Sequence, residues 1–266
     1  MVGLGEAGKN IVKLFKPHTS NYKIIIFDEN DGLEPMSNVE EYDEQEIKLK
    51  HKGLSKHDEA MLFVCGSGKV AGASLRVLEA LKGFKTTIVY IVPDLEFSSD
   101  REQKRHRAHF GILQEYTRSG MVNDMIILEN KKMFEVAGTG TTLKYFEKVN
   151  FLIYNTIQNI MYCRHVKPDF GRLHMKKEIS SISTIGLGNF PEEEKLLFLL
   201  DNITETCYII NIEEEDLDND ESIIPSCQNI VRENKALARN TSFAIWKSSD
   251  ENNYFSIHYT HFIQER

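Results

Sequence analysis

EAMLFVCGSGKVAGASLRVLEALK, residues 59–82, is the stretch that decides the fold class. Residues 60–65 are an unbroken apolar run that reads as a buried strand. They meet a turn of small residues, Gly66-Ser67-Gly68-Lys69-Val70-Ala71-Gly72-Ala73-Ser74. An amphipathic helix follows, with Ala71, Leu75, Leu78 and Leu81 on one face and Gly83 as its stop. Glycines at such a strand-to-helix turn let backbone N–H groups approach an anion closely, and the helix N-terminus adds partial positive charge. Glycine also serves packing alone in many α/β proteins, so this turn by itself leaves both readings open.

Outward from this unit the same alternation recurs. Residues 22–27 (YKIIIF), 86–92 (TTIVYIV) and 125–129 (MIILE) are further buried-strand candidates. The second is ended by Pro93-Asp94-Leu95-Glu96-Phe97 and the third is closed by Asn130. A helix over 100–118 carries Arg101, Lys104, Arg105 and Arg107, read as a solvated basic face, with His106 and His109 on it. The loop Ala137-Gly138-Thr139-Gly140-Thr141-Thr142 caps a long helix over 143–163. Strands alternating with helices predict an α/β, Rossmann-like, mostly parallel sheet with helices on both faces, whose ligands bind outside the carboxyl ends of the strands. From Gly186 the character changes: apolar or alternating runs at 196–200, 207–212, 241–246 and 254–263 surround a short helical segment near 230–238 and an acidic stretch, 213–221, read as a solvated loop. The expected organisation is a first domain over 1–180 that includes the long helix, and a small α+β domain over 181–266, with the boundary near 180–188. Residues 33–58 read as a connecting region without a core of its own.

The chain has 266 residues, 41% of them apolar and 10% aromatic, enough to build a core and against general disorder. A net charge of −8, with acids crowded into 40–46 and 213–221, argues against a nucleic-acid partner held on a broad basic face. No apolar run approaches the roughly 20 residues that cross a bilayer, and no signal peptide opens the sequence, so no membrane partner is expected. Cys65, Cys163, Cys207 and Cys227 form no CxxC pair and read as reduced, buried thiols of a cytoplasmic protein. No metal site is expected, because the nine histidines show no metal-binding spacing.

Val2-Gly3-Leu4-Gly5-Glu6-Ala7-Gly8-Lys9-Asn10 has GxGxxG spacing and runs into a helix with Ile11, Val12, Leu14 and Phe15. Such a fingerprint normally follows a strand of several residues. Here only Met1 and Val2 precede it, so either the first strand is nearly absent or the sequence begins inside it. Asp28 lies 28 − 3 = 25 residues after Gly3, near where a Rossmann acid grips a ribose hydroxyl, which keeps an NAD(P)-linked enzyme in play.

Taken in order, these loops resemble those of the tubulin/FtsZ superfamily of filament-forming GTPases. GLGEAGKNIV at 3–12 is similar to the FtsZ first loop GxGGxGxNxV. GSGKVAGAS at 66–74 stands where the family has GGGTGTGAA, keeping Gly66, Gly68, Gly72 and Ala73. TTIVYIVPDLEF and the helix with Ala108-His109-Phe110-Gly111-Ile112 resemble the next strand, loop and AxxGI helix, and residues 124–130 resemble DxLIxIPN. Gly138 to Asn159 resembles the sixth-loop glycines and the central helix. Pro168-Asp169-Phe170-Gly171-Arg172-Leu173 resembles the VDFADV loop that completes a neighbour's active site, and Ile185-Gly186-Leu187-Gly188 the MGxG that follows it. The likeness spans about residues 2–188 and fades beyond. Gly138-Thr139-Gly140-Thr141 imitates the tubulin glycine signature out of order and is read as coincidence.

The resemblance implies GTP or GDP, with or without Mg2+, at the carboxyl edge of the first domain. Gly3, Gly5, Gly8, Gly66, Gly68 and Gly72 would cradle phosphates, with Lys9, Ser67 and Lys69 beside them. Asn10, Asn130 and Asn150 would read the guanine edge and Phe146 would stack on it. Glu96 and Arg101 fall where the family contacts ribose and phosphate. A compact, diverged chain of this kind suits a phage or plasmid relative, self-associating head-to-tail into filaments. Two departures weigh against full activity. Lys69 and Val70 replace a threonine and a glycine, and a β-branched Val does not readily adopt positive φ. Arg172 stands where the family's water-activating acid would be, leaving Asp169 as the remaining catalytic carboxylate and hydrolysis weak or lost. A scaffold that has lost nucleotide stays open beside this reading, as does the NAD(P) enzyme.

Overall fold

The computed structural model describes residues 1–18, 22–28, 59–138, 144–174, 181–234, 238–249 and 252–265. The connecting region 33–58, part of the loop after Gly138 and the start of the expected domain boundary therefore lie outside the described residues. The chain groups into two compact units, Met1–Tyr154 with Ile263–Arg266, and Asn155–Phe262.

In the first unit the order is β1 (Val2–Leu4), α1 (Gly5–Leu14), β2 (Ile25–Phe27), β3 (Glu59–Cys65), α2 (Ser74–Ala80), β4 (Lys85–Val92), α3 (Asp100–Arg118), β5 (Asp124–Glu129), α4 (Asn130–Ala137) and the opening turns of α5 (Tyr145–His165). The strands lie in the order β2-β1-β3-β4-β5, and each neighbouring pair is parallel. Val2 pairs with both Ile25 and Leu62, Leu62 with Ile88, and Ile88 with Met125. Leu62, Phe63, Val64, Ile88, Val89, Tyr90, Ile126 and Ile127 are all buried. Strands covered on both faces tolerate no alternation of polar residues, which is why these segments read as continuous apolar runs.

Helix α1 lies against β1 and β3 because Gly3 and Gly8 leave room for it. A β-carbon on Gly8 would fall on the Phe63 carbonyl oxygen, and one on Gly3 would stand 2.6 Å from the Gly8 carbonyl oxygen. Phe15, at the end of α1, packs edge-on against Tyr22 (5.5 Å between centroids) and Tyr154 of α5 (4.8 Å), and 6.0 Å from Phe63. Helix α3 starts at a capping box, in which Ser99 Oγ accepts the Glu102 N–H and the Glu102 carboxylate accepts the Ser99 N–H. The chain returns to this unit at its far end. Gln264 donates its backbone N–H to Gln114 Oε1 (2.7 Å), and Gln114 Nε2 donates back to the Gln264 carbonyl (3.1 Å).

The second unit holds the rest of α5, then β6 (Phe170–Arg172), β7 (Ile182–Asn189), β8 (Lys195–Leu196), β9 (Glu205–Glu213), α6 (Glu214–Asn219), α7 (Ile223–Asn234), β10 (Asn240–Ser248) and β11 (Asn253–Thr260). Strands run in the order β7-β11-β9-β10-β6, with β8 on the other side of β7. Among the described strands of this unit only β9 and β10 pair in parallel, joined by a crossover through α6 and α7, as parallel pairing requires. Ile223, Cys227 and Ile230 of α7, spaced one helical face apart, pack on Tyr208, Ile210, Ile212 and Ile245.

Several local expectations are corrected here. The acidic stretch 213–221 is not a loop throughout, since α6 forms within it and Lys247 pairs with Glu214 (3.0 Å) and Asp218 (3.4 Å). Residues 196–200 do not form a strand beyond Leu196. The loop at 168–173 contains β6, whose glycine sits at φ +76° against the Phe243 backbone. Residues 130–137 coil into α4 directly after β5. A serine–histidine–glutamate group is buried over Gly186, yet it is no hydrolytic triad. Ser256 Oγ (2.8 Å) and Glu194 Oε1 (3.0 Å) both face Nε2 of His258, while Nδ1 faces Thr206 Oγ1 (3.1 Å). A triad needs hydroxyl and acid on opposite ring nitrogens.

Gly8→Ala is expected to destabilise the protein by about 2–3 kcal/mol or more, because the clash is with backbone and not with a side chain that can turn away. A lowered urea midpoint at unchanged denaturant slope measures it.

Candidate functional site

Parallel pairing puts the carboxyl ends of β2, β1, β3, β4 and β5 on one edge. There the chain turns into Asp28, Gly5, Gly66, the 93–96 segment and Asn130 in turn. Every residue singled out for nucleotide contact lies in the first unit, and Asp169 alone lies in the second.

Two turns approach each other. Helix α1 begins with Gly5 at φ +68°, and its cap, Leu4, offers no side-chain acceptor to the first free N–H groups. Opposite it, the turn after β3 tightens through Gly68 N–H to Cys65 O (3.0 Å) and Ala71 N–H to Gly68 O (3.1 Å), then a 3-10 turn at Ala71–Ala73 leads into α2. Gly3, Gly8, Gly66 and Gly72 are buried within this framework. Lys9 pairs with Asp28 at 2.6 Å. Ser67 Oγ lies 3.6 Å from Cys65 Sγ, and Lys69 is exposed. Further along the edge Lys131 pairs with Glu96 at 2.7 Å, across two exposed side chains, while Arg101 is on the exposed side of α3. Phe146 is 64% exposed and its ring centroid lies 4.8 Å from that of Tyr145, which in turn packs at a tilt against Phe134 of α4 (4.5 Å). Asn10 on α1, Asn130 at the start of α4 and Asn150 on α5 come from three separate helices, with Asn10 and Asn150 half-buried.

The basic helix is where the sequence reading fails most clearly. His106 and His109 are buried, and so is Arg105. They share the inner face of α3 with Phe110, Leu113, Gln114 and Thr117. Arg105 Nη1 donates to the Gly68 carbonyl at 3.2 Å. His106 Nδ1 meets the Tyr90 hydroxyl at 2.9 Å, and a β-carbon on Gly66 would stand 2.6 Å from that nitrogen. The underside of the glycine turn is therefore built by α3. The buried positions 105, 106, 109, 110, 113, 114 and 117 repeat with helical period, and that stripe was present in the sequence, masked by its charged and imidazole members. Burial pushes the pKa of His106 down to about 4, helped by His109 and Arg107. It does the same to His109, where Arg105 adds to burial and a Gly66 backbone contact opposes it.

In the second unit the Asp169 carboxylate accepts the Lys247 N–H at 2.9 Å, and the Asp169 N–H donates to Ile245 O, so this residue fastens β6 to β10. Arg172 is exposed on β6. Among the described residues no group of three or more His, Cys, Asp or Glu side chains is placed to hold a metal ion, and no helix is long and apolar enough to cross a membrane.

No family model and no curated protein matches the chain. Solved structures do. An FtsZ mutant from M. jannaschii superposes with a TM-score of 0.63 at 13% identity, over 97% of this chain and 90% of that one. The fold is tubulin/FtsZ-like. CetZ from Methanosaeta thermophila gives 0.62 at 13% identity over 98% and 86%. A TubZ from Bacillus thuringiensis serovar israelensis, solved as a GTPγS-form protofilament, gives 0.61 at 12% over 99% and 87%. At such identities it is the tubulin/FtsZ-like architecture that is shared.

The two buried histidines make a measurable prediction. Both are neutral in the folded state, while the unfolded chain takes up protons below about pH 6.5, so stability is full above that pH and falls as pH drops toward 4. At about 1.4 kcal/mol per pH unit for each group, urea unfolding should show a combined loss of up to about 2.7 kcal/mol per unit, and His106→Phe should remove roughly half the slope.

Proposed function

We propose that this chain is a tubulin/FtsZ-like protein that binds a guanine nucleotide at the turns after β1 and β3 and associates head-to-tail with further copies of itself, with hydrolysis weak or lost. The observation that carries this reading is the convergence of two glycine turns at adjacent parallel strands, one of them opening a helix whose first N–H groups have no side-chain cap. A nucleotide would supply the phosphate anion for those groups. Gly5 and the Gly66–Gly68 turn would hold it, Asn10, Asn130 and Asn150 would offer amides to the base, and Phe146 an exposed ring face. The TubZ neighbour is a protofilament in its GTPγS form, which supports self-association as the partner reading. Weak hydrolysis is supported by Arg172, which cannot serve as a base, and by Asp169, whose carboxylate is engaged by backbone.

Guanine nucleotide should be released on denaturing the purified protein. Calorimetry should give micromolar or tighter binding of GTP or GDP and none of NAD. Binding of NAD in place of GTP would return the Rossmann enzyme; absence of all three would favour the scaffold. In a phosphate-release assay, turnover is expected to stay near background and to be unchanged in Asp169→Ala.

A further inference from the structure

Val70 occupies the position at which the resembling loops carry glycine, and its geometry shows what that exchange does. With φ −101° and ψ 13° its backbone needs no left-handed conformation, so the turn is reshaped and the residue is not strained. In this conformation the isopropyl group is only 2% exposed. Its Cγ2 stands 3.3 Å from the place where a β-carbon on Gly5 would be, that is, against the first residue of α1. The side chain therefore fills the gap between the two turns, beside the helix end that would receive an anion. From beneath, the Arg105 guanidinium holds the Gly68 carbonyl and fixes the turn in this form.

We propose that Val70 is a steric gate on the phosphate site and the main determinant of its affinity. The proposal rests on the nucleotide reading above. A methyl group 3.3 Å from the position a β-carbon on Gly5 would take leaves no space for a phosphate oxygen between it and that residue. Phosphate enters only when the valine side chain is displaced, and that displacement is subtracted from the binding free energy. The gate acts on the phosphates and leaves the base and sugar contacts untouched.

The test is calorimetric titration of the wild-type protein, V70G and V70A with GTP, inorganic tripolyphosphate and guanosine, with a thermal melt of each variant. V70G should bind GTP and tripolyphosphate about tenfold or more tightly than wild type, V70A should fall between, and guanosine affinity should not change. If V70G is unfolded at the titration temperature, the V70A comparison decides alone. Equal GTP affinity in all three proteins overturns the gate and leaves the nucleotide reading standing, and so does a gain for guanosine as large as that for GTP. Failure of all three to bind GTP overturns the nucleotide reading and the gate with it.

Discussion

Helix α1 lies so close to β1 and β3 that neither Gly3 nor Gly8 has room for a β-carbon. Everything at the carboxyl edge of the first unit depends on that approach. It sets where the first turn of α1 begins and brings Gly5 against Val70, and it lets Phe15 reach both Phe63 and Tyr154. Two of the three fingerprint glycines are thus explained by packing alone. The third, Gly5, is the one whose positive φ and position at the helix start bear on a ligand. A glycine motif of this kind reports first on how tightly a helix is laid on a sheet, and on chemistry only through the residue left facing the turn.

The second support comes from below. The turn after β3 rests on α3 through Arg105 at Gly68 and through the His106–Tyr90 pair under Gly66. A charged group buried at 7% exposure is costly unless its donors are used, and here one of them fixes a turn carbonyl. The imidazoles lie deeper still and remain neutral, with the pH sensitivity that neutral burial brings. The same helix face that anchors the core thereby decides the shape of the candidate site.

The parallel strands were legible because strands covered on both faces must be apolar throughout, and β3, β4 and β5 each begin one residue before the runs read from the sequence. The helix read over 100–118 matches α3 in its bounds, and the long helix was read two residues early at each end, while residues 139–142 of the loop read as its cap lie outside the described residues. What escaped were features set by tertiary contact. Residues of α3 with polar names were assigned to solvent, although their spacing matched the apolar stripe. The short helix α4 has no side-chain cap to announce it, and β6 exists only because Gly171 can lie against the Phe243 backbone. For the site, the order of the loops was readable, whereas the pairing of Lys9 with Asp28 and the inward turn of Val70 were not, since nothing local dictates either.

The reciprocal bonds between Gln114 and Gln264 join residues that stand 150 positions apart, with the whole second unit between them. The first unit is therefore discontinuous in the chain, and the second is an insertion within it. During synthesis the inserted unit emerges before its host is complete, because the segment that closes the host follows it in the chain. Closing so long a loop costs entropy that only a finished inner unit can shorten, so the order of assembly is written into the path of the chain.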